Sequence, residues 1–224
     1  MAAGVFITGT DTNVGKTWSS IALLLALRAK GYTTAGFKPV AAGCQWDGGG
    51  WKNRDALLLQ RFGTAALDYQ KVNPYAFELA VSPHIACGTT PVNLQVLQSC
   101  YAELAGRVDW VVVEGAGGWL SPLGAALDNA ELALALQLPV ILVVGMRLGC
   151  INHACLSAQA VKLANLRLAG WIAVTLDVDM PAFNANLEYL HSRLDAPLLG
   201  VLPHQRTANF GELAEHLSLT DIIY

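Results

Sequence analysis

The chain has 224 residues, of which 54% are hydrophobic and 14% charged, and its formal net charge is −3 at pH 7. That length suffices for one large α/β domain and no linker-like segment divides it, so we predict a single domain over residues 1–224. The acidic balance and the scattered basic residues exclude an electrostatic surface for nucleic acid, and the longest strongly apolar run, residues 138–144, is too short to cross a bilayer.

The first predicted elements are a β-strand over residues 5–8 and a helix over residues 19–29, joined by a glycine-bearing loop. The loop lies where unpaired N–H groups at the helix start and the helix dipole attract an anion. Lys16 adds a full positive charge there, and the Thr17 hydroxyl can bind Mg²⁺. The segment therefore predicts a phosphate-binding loop for ATP or GTP, although its first glycine, Gly9, lies one position earlier than in the standard pattern.

Strand-like and helix-like segments alternate along the rest of the chain. The further predicted strands are residues 33–38, 110–113, 140–144, 168–174 and 198–202. The further predicted helices are residues 53–62, 94–104, 127–136, 151–163 and 182–194. Several strands are apolar on both faces, as expected for a sheet that is covered on two sides. We therefore predict an α/β fold of the P-loop NTPase type, with a mostly parallel sheet flanked by helices on both faces.

Ligands of open α/β sheets bind outside the carboxyl ends of the strands, so the residues after each strand are candidates for function. Lys38 ends the second strand, where its ammonium would face the phosphates; the alternative is an ordinary surface lysine. Glu114 follows three valines, where a carboxylate would hold Mg²⁺ or its water; the alternative is a solvated acid. Asp55 opens a helix, where an acid in the first turn is common as a simple partner of the helix dipole. Trp119 packs over a substrate or into the core.

The histidines and cysteines indicate neither a metal centre nor a disulfide framework. Four of the five histidines show no ligand spacing, namely His84, His153, His191 and His204. The five cysteines are an odd number without a Cys-x-x-Cys spacing, which is typical of buried, reduced thiols: Cys44, Cys87, Cys100, Cys150 and Cys155. The N-terminal residues lack the positive region of a signal peptide and lead directly into the first strand. We therefore predict a cytoplasmic protein.

A series of sequence blocks, in chain order, resembles the dethiobiotin synthetase family. The blocks are TGTDTxVGKT at 8–17, GFKPVA at 36–41, DAL at 55–57, VNPY at 72–75, SPH at 82–84, VEGAGGW at 113–119, LPVILV at 138–143 and LGCINH at 148–153. The resemblance implies an ATP- and Mg²⁺-dependent ligase of biotin synthesis that works as a homodimer and needs no other organic cofactor. In that family 7,8-diaminononanoate and CO₂, or bicarbonate, give a carbamate. ATP phosphorylates the carbamate to a carbamic-phosphoric anhydride, and the second amine then closes the ureido ring.

The resemblance also implies roles for individual residues. Lys16 and Lys38 would be catalytic, Lys16 holding the β- and γ-phosphates and Lys38 binding the carbamate and the transferring phosphoryl group. Mg²⁺ would be organised by Thr17, Asp55 and Glu114. The nucleotide would further contact Asn13, Val14, Gly15, Trp18, Gly115, Ala116, Gly117, Val174, Thr175, Pro203, His204 and Gln205. The substrate would contact Thr12, Ala42 and Tyr189, and its distal carboxylate would bind backbone N–H groups across the dimer interface, at Gly149, Cys150, Ile151 and Asn152.

Three positions depart from the family pattern. Asn13 stands where Glu is frequent, Ala42 where a small polar residue is usual, and Val174 in place of the Asn that binds adenine. Discrimination between bases requires donors and acceptors that match the buried edge of one base. We therefore predict loose nucleotide specificity, with comparable turnover of ATP, CTP and GTP.

Three other functions compete with this interpretation. Amide-forming synthases of cobalamin assembly carry a glutamine-amidotransferase domain, for which this sequence has no room. Nucleotide-switched proteins of the partition or site-selection type place an extra lysine where this chain has Asp11. A non-catalytic paralogue is disfavoured because groups that only catalysis needs are retained, namely Lys16, Thr17, Lys38, Asp55 and Glu114.

Overall fold

A parallel β-sheet of six strands forms the centre of the computed structural model, which describes residues 3–222. The strands in chain order are β1 (Ala3–Gly9), β2 (Thr34–Phe37), β3 (Val40–Ala41), β4 (Gln45–Trp46), β5 (Trp51–Lys52), β6 (Tyr75–Ala76), β7 (Trp110–Gly118), β8 (Pro122–Gly124), β9 (Leu127–Asp128), β10 (Val140–Met146), β11 (Leu168–Thr175) and β12 (Leu198–Leu202). The central sheet has the order β12-β11-β10-β1-β7-β2, and each neighbouring pair is parallel. This arrangement brings the carboxyl ends of these strands to one edge.

Helices connect the strands of this sheet, as the alternation in the sequence predicts. They are α1 (Lys16–Ala29), α2 (Arg54–Phe62), α3 (Tyr69–Val72), α4 (Pro83–Ala86), α5 (Leu94–Ala105), α6 (Asn129–Ala135), α7 (Cys150–Leu163), α8 (Phe183–Arg193) and α9 (Phe210–Glu215). The predicted domain bounds, and the interpretation of the N-terminus, extend to residues 1, 2, 223 and 224, which lie outside the described residues.

Both faces of the sheet are covered because successive strand residues point to opposite sides. On one face Val5 and Ile7 of β1 belong to a core cluster with Leu24 of α1. On the other face Phe6 belongs to a second cluster with Leu97 of α5. All of these side chains are almost completely buried, which stabilises the fold by about 1.5–3 kcal/mol for each. The predicted parallel sheet with helices on both faces is confirmed.

Several predicted boundaries differ from the observed ones by two residues or more: α1 begins at Lys16 and not at residue 19, and the end of β7 and the start of α6 are also displaced. Strand β7 continues through Glu114 to Gly118, so that Glu114 lies within a strand and not after it. The helix predicted from residue 127 begins only at Asn129. Asp128 caps that helix, because its carboxylate accepts the Glu131 N–H while the Glu131 carboxylate accepts the Asp128 N–H.

The segment after Pro203, for which the sequence predicts no element, contains helix α9. Its first residue, Phe210, makes edge contacts with Trp18 and Phe62, with ring centroids 6.1 and 5.0 Å apart. These contacts attach the segment to α1 and α2. The segment from Pro203 to Phe210 is therefore held beside the phosphate-binding loop.

Candidate active site

A cavity of about 920 Å³ lies at the carboxyl edge of the sheet and brings together most of the predicted site residues. From the phosphate-binding loop it is lined by Thr12, Asn13, Gly15, Lys16, Thr17 and Trp18. Other strand ends and loops contribute Lys38, Ala42, Asp55, Glu114, Ala116, Gly117, Val174, Thr175, Pro203, His204 and Gln205. The size and the mixed polar and apolar lining suit a small-molecule site.

The conformation of the phosphate-binding loop explains its glycines. Gly15 has a φ of 95° and caps the start of α1 in the left-handed region. A Cβ atom on Gly15 would lie 2.9 Å from Val174 Cγ1, so a side chain is excluded by space as well as by conformation. A Cβ on Gly9 would lie 2.7 Å from Val14 Cγ2 and 3.1 Å from Lys16 Nζ. The early position of the first glycine thus makes room for Val14, which is buried beneath the loop rather than lining the cavity.

The Lys16 ammonium is folded back onto its own loop. Its Nζ atom donates a hydrogen bond to the backbone oxygen of Asp11, at 2.7 Å. Burial, together with the nearby charge of Lys38, lowers the pKa of Lys16 to about 8. Asp11 in turn accepts a hydrogen bond from Arg147 at 2.7 Å, which ties the loop to the segment after β10. The sequence reasoning had not assigned Arg147 a contact with this loop.

Lys38 and Glu114 form a buried ion pair at the base of the cavity, with 2.5 Å between Lys38 Nζ and Glu114 Oε1. The Thr17 hydroxyl donates to the same Oε1 atom at 2.9 Å, and Asp55 Oδ2 lies 3.8 Å from Lys38 Nζ. Although burial alone would lower the pKa of Lys38, the charges of Glu114 and Asp55 outweigh it and raise that pKa. Lys38 is therefore a charged lysine inside the site and not a surface lysine.

The residues predicted to hold Mg²⁺ have suitable chemistry for it. Glu114 Oε2 is buried without a hydrogen-bond partner among the described residues, and Asp55 and Thr17 add two more oxygen donors to the same cavity. Within residues 3–222, no three or more His, Cys, Asp or Glu side chains are grouped so as to hold a metal ion by themselves. Mg²⁺ typically takes few protein ligands and completes its shell with water and substrate phosphates. The donor set fits an ion that is bound together with a nucleotide.

Two asparagines that the sequence reasoning missed hold these groups in place. Asn53 caps α2, since its side-chain oxygen accepts the N–H groups of Asp55 and Ala56 at 2.9 and 3.2 Å. The completely buried Asn129 donates to the carbonyl oxygens of Ala116 and Gly118, at 2.7 Å each. Asn53 carried a recognisable signal, because an Asn directly before a helical segment is a typical N-cap. Asn129 carried none, because its partners are backbone carbonyl groups of β7 that lie 13 and 11 residues away along the chain.

A further wall of the cavity was also missed. It consists mainly of small or apolar residues, namely Ala41, Gly43, Ala80, Val81, Pro83 and Leu176, with the polar Asn53, Ser82 and Ser121 among them. The Ser82 hydroxyl lies 2.9 Å from Nδ1 of His84. The SPH block had indicated this segment, but only the fold brings the preceding residues beside Gly43, whose N–H donates to the Leu79 carbonyl oxygen at 3.0 Å.

Some predicted site residues do not line this cavity. The cavity lining does not include Gly149 to Asn152 or Tyr189. Gly149 instead caps the start of α7, with its backbone in the left-handed region. The Cys150 N–H is used by the Arg147 carbonyl oxygen at 3.0 Å. Gly115 also lies outside the lining, since its backbone packs against Asn129. Trp119 is buried against Phe6, which assigns it to the core and not to a substrate.

Comparisons with known proteins bear on the whole chain. The family model of the AAA domain matches residues 3–210. A protein of Xanthomonas campestris pv. campestris named ATP-dependent dethiobiotin synthetase BioD is 48% identical over 216 residues, which is 96% of this chain and 96% of the relative. A protein of the same name from Cellvibrio japonicus is 47% identical and covers 97% of this chain and 96% of its own.

Solved structures with a similar backbone are more distant. The septum site-determining protein MinD of Pyrococcus horikoshii, complexed with Mg-ADP, has a TM-score of 0.58 at 17% identity. The match covers 99% of this chain and 89% of that chain. Similarity at this level shows a shared P-loop NTPase fold and nothing about the reaction. Across residues 3–222, none of the helices combines the length and the apolar character that a membrane span requires.

Proposed function

Since the chain belongs to the ATP-dependent dethiobiotin synthetase family, a family of ligases, we propose that it joins 7,8-diaminononanoate and CO₂ into dethiobiotin for biotin biosynthesis. ATP is consumed, and ADP and phosphate are released. The observation that carries the proposal is the buried group of Lys38, Glu114 and Thr17 directly below a phosphate-binding loop. A binding protein that only senses a nucleotide has no need of a second buried lysine at this place.

The proposed reaction has three steps whose atoms balance. One substrate amine attacks CO₂ and loses a proton, giving a carbamate. A carbamate oxygen attacks the γ-phosphorus of ATP and ADP leaves, which yields the carbamic-phosphoric anhydride. The second amine then attacks the carbonyl carbon and loses a proton, the bond from carbon to the phosphate oxygen breaks, inorganic phosphate leaves, and the ureido ring closes.

The residues of the cavity would serve these steps by charge and position. Phosphorylation brings the anionic carbamate and the anionic γ-phosphate together, so fixed positive charge lowers the barrier. Lys16 would hold the β- and γ-phosphates after leaving the Asp11 carbonyl, and Lys38 would hold the carbamate and the phosphoryl group in transfer. The partly apolar lining of the cavity, which includes Ala80, Val81 and Pro83, would limit the access of water to the labile anhydride.

Mg²⁺ would be held by Thr17, Asp55 and Glu114. When bound, it would neutralise charge on the β- and γ-phosphates and fix their orientation. Because Lys38 occupies Glu114 Oε1, the second oxygen of this carboxylate is the one available to the ion or its water. The further nucleotide and substrate contacts that the sequence implies belong to the same proposal.

We also propose a cytoplasmic homodimer. Residues that serve the site of a partner subunit need not line the cavity of their own chain. Gly149 to Asn152 meet this condition, because they lie outside the cavity lining. Leu148, directly before this turn, is 95% exposed, and Leu156 on the same helix is 57% exposed. A partner subunit that covers these leucines would bring the start of α7 to the neighbouring cavity, where its free N–H groups would bind the substrate carboxylate.

The test is ADP release in the presence of ATP, Mg²⁺ and bicarbonate, with and without the diamine. We expect release to depend on the diamine and dethiobiotin to form in equal amount. Lys38→Ala should abolish the diamine-dependent release but retain most of the nucleotide affinity, whereas Lys30→Ala, an exposed lysine after α1, should behave as wild type. ADP release that ignores the diamine would refute the proposal.

A further inference from the structure

A second cavity, separate from the proposed ligase site, lies on the other side of the start of α2. It has a volume of about 610 Å³. The hairpin of β4 and β5 forms one side, and one face of α2 forms the other. The lining residues are Gly43, Gln45, Trp46, Asp47, Lys52, Arg54, Leu57, Leu58 and Arg61.

The charge of this cavity is opposite to that of the chain. It is lined by Lys52, Arg54 and Arg61 but by only one acid, Asp47, whereas the whole chain carries a formal net charge of −3. Among the residues that the structure describes, no carboxylate lies within ion-pair distance of any of the three cations. Lys52 instead lies over the ring of Tyr69, with Nζ 3.9 Å from its centroid. Arg61 has an aromatic neighbour as well, with its Cζ 5.7 Å from the centroid of the Phe62 ring. Among the described residues neither arginine donates to a carboxylate, so their N–H groups are available to an anion.

The arrangement of the two arginines matches a compact anion. Arg54 and Arg61 are seven residues apart on α2, so they lie on the same face two turns apart, with Leu57 and Leu58 between them. Arginine binds phosphate through paired N–H donors, so either arginine provides a site for one phosphate, and the leucine strip beside it suits the uncharged part of the same ligand.

The hairpin adds an aromatic surface to this cavity. Trp46 is 60% exposed, although its ring packs edge-on against Trp51 with 5.5 Å between centroids. A rigid, exposed indole beside cations is a surface on which a planar ring stacks. From the cations, the indole and the volume together, we infer that this cavity binds a small ligand that carries both a phosphate and a planar ring, of the nucleoside monophosphate class.

The inferred site adjoins the main cavity without being part of it. Gly43 lines both cavities, and Arg54 directly precedes Asp55, which lines the main one. The two cavities differ in the ligands that they can recognise, because Lys16 of the phosphate-binding loop would bind the β- and γ-phosphates of a nucleotide. AMP lacks both phosphates, so it distinguishes the second cavity from the first.

The experiment is isothermal titration of the full chain with AMP. Wild type and Lys16→Ala should both bind one AMP with the same affinity, whereas the Arg54→Ala/Arg61→Ala double variant should bind it at least about tenfold more weakly. The matched control is Arg28→Ala/Arg193→Ala, which removes two arginines from the last turns of α1 and α8 and should leave AMP binding unchanged. All four arginine side chains are solvent-exposed, so these variants keep the core intact.

The contribution of the ring is tested separately. Ribose 5-phosphate should bind more weakly than AMP, and Trp46→Ala should weaken AMP but not ribose 5-phosphate. Absence of AMP binding, loss of it in Lys16→Ala, or equal binding of AMP and ribose 5-phosphate would each overturn the inference. None of these outcomes depends on ligase turnover, so a failure here is distinguishable from a failure of the proposed function.

Discussion

At the scale of single residues, Glu114 is the group on which most contacts of the main cavity converge. One carboxylate oxygen accepts from Lys38 and Thr17, while the other is buried and unpartnered among the described residues. A buried ion pair is costly to break, because removing one partner leaves a charge without compensation. The carboxylate therefore serves the stability of the chain as well as its proposed metal site.

Glu114→Gln should lower the free energy of unfolding by about 3 kcal/mol, because Lys38 would lose its nearest counter-charge. The double variant Glu114→Gln/Lys38→Met should recover much of this loss, since no buried charge would remain uncompensated. Urea denaturation of the wild type, both single variants and the double variant measures the effect. Additive losses in the double variant would contradict the proposed compensation.

Val174 is the residue on which nucleotide specificity should depend. It lines the main cavity and packs against Gly15, with its hydrocarbon side chain where the family places an amide. We expect kcat/KM for ATP, CTP and GTP to agree within about tenfold, and Val174→Asn to favour ATP. Steady-state kinetics with the three nucleotides test this. A strict ATP preference of the wild type would show that other groups read the base.

At the scale of elements, the site is built from helix starts and loops that short polar contacts hold in place. The cap of α2 fixes Asp55, and Asn129 of α6 fixes the glycine loop that ends β7. Tyr69 of α3 supports the first of these, since its hydroxyl accepts the Asn53 N–H at 2.7 Å and donates to Asn73 at 2.8 Å. Burial accordingly raises the pKa of Tyr69 to about 12.

Asn53→Ala should destabilise the protein by about 1 kcal/mol, because two N–H groups at the start of α2 lose their acceptor. It should also raise the Mg²⁺ concentration needed for half-maximal ADP release, since Asp55 would no longer be held in one orientation. Thermal unfolding and a Mg²⁺ titration measure the two effects. Asn53→Asp keeps the cap and is the control. An unchanged Mg²⁺ requirement in Asn53→Ala would contradict a metal role of Asp55.

At the scale of the whole molecule, the main cavity is lined by the residues proposed to bind the phosphates, the metal ion and the carbamate, but by none of the residues predicted to bind the distal carboxylate. A single chain thus forms only part of the predicted site. The exposed leucines beside the start of α7 are consistent with a partner subunit at this place. The homodimer and the single domain over residues 1–224 both stay predictions.

Mixed dimers test the shared site. Lys38→Ala should be inactive, and Asn152→Glu should bind the diamine poorly, because an added carboxylate at the exposed first turn of α7 repels that of the substrate. When the two variants are co-expressed, a mixed dimer contains one site with both lesions and one intact site. We expect diamine-dependent activity to reappear in the mixture. Activity no greater than the sum of the separate variants would exclude sharing.

The sequence by itself determined the alternation of strands and helices, the phosphate-binding loop and the identity of the charged groups around it. These features depend on local patterns, namely apolar periodicity, a glycine-bearing loop before a helix, and acids or lysines at strand ends. Each can be recognised from neighbouring residues, because backbone conformation and helix polarity are largely local properties.

Only the tertiary structure decided which groups contact one another. It joined Lys38 to Glu114, 76 residues apart, buried Trp119 in the core, and placed Asn129 under the glycine loop. It also formed the second cavity, from a hairpin and a helix face that carry no motif. Such contacts depend on how distant segments pack across the sheet, and the energies that select them come from burial and ion pairing, which no local pattern encodes.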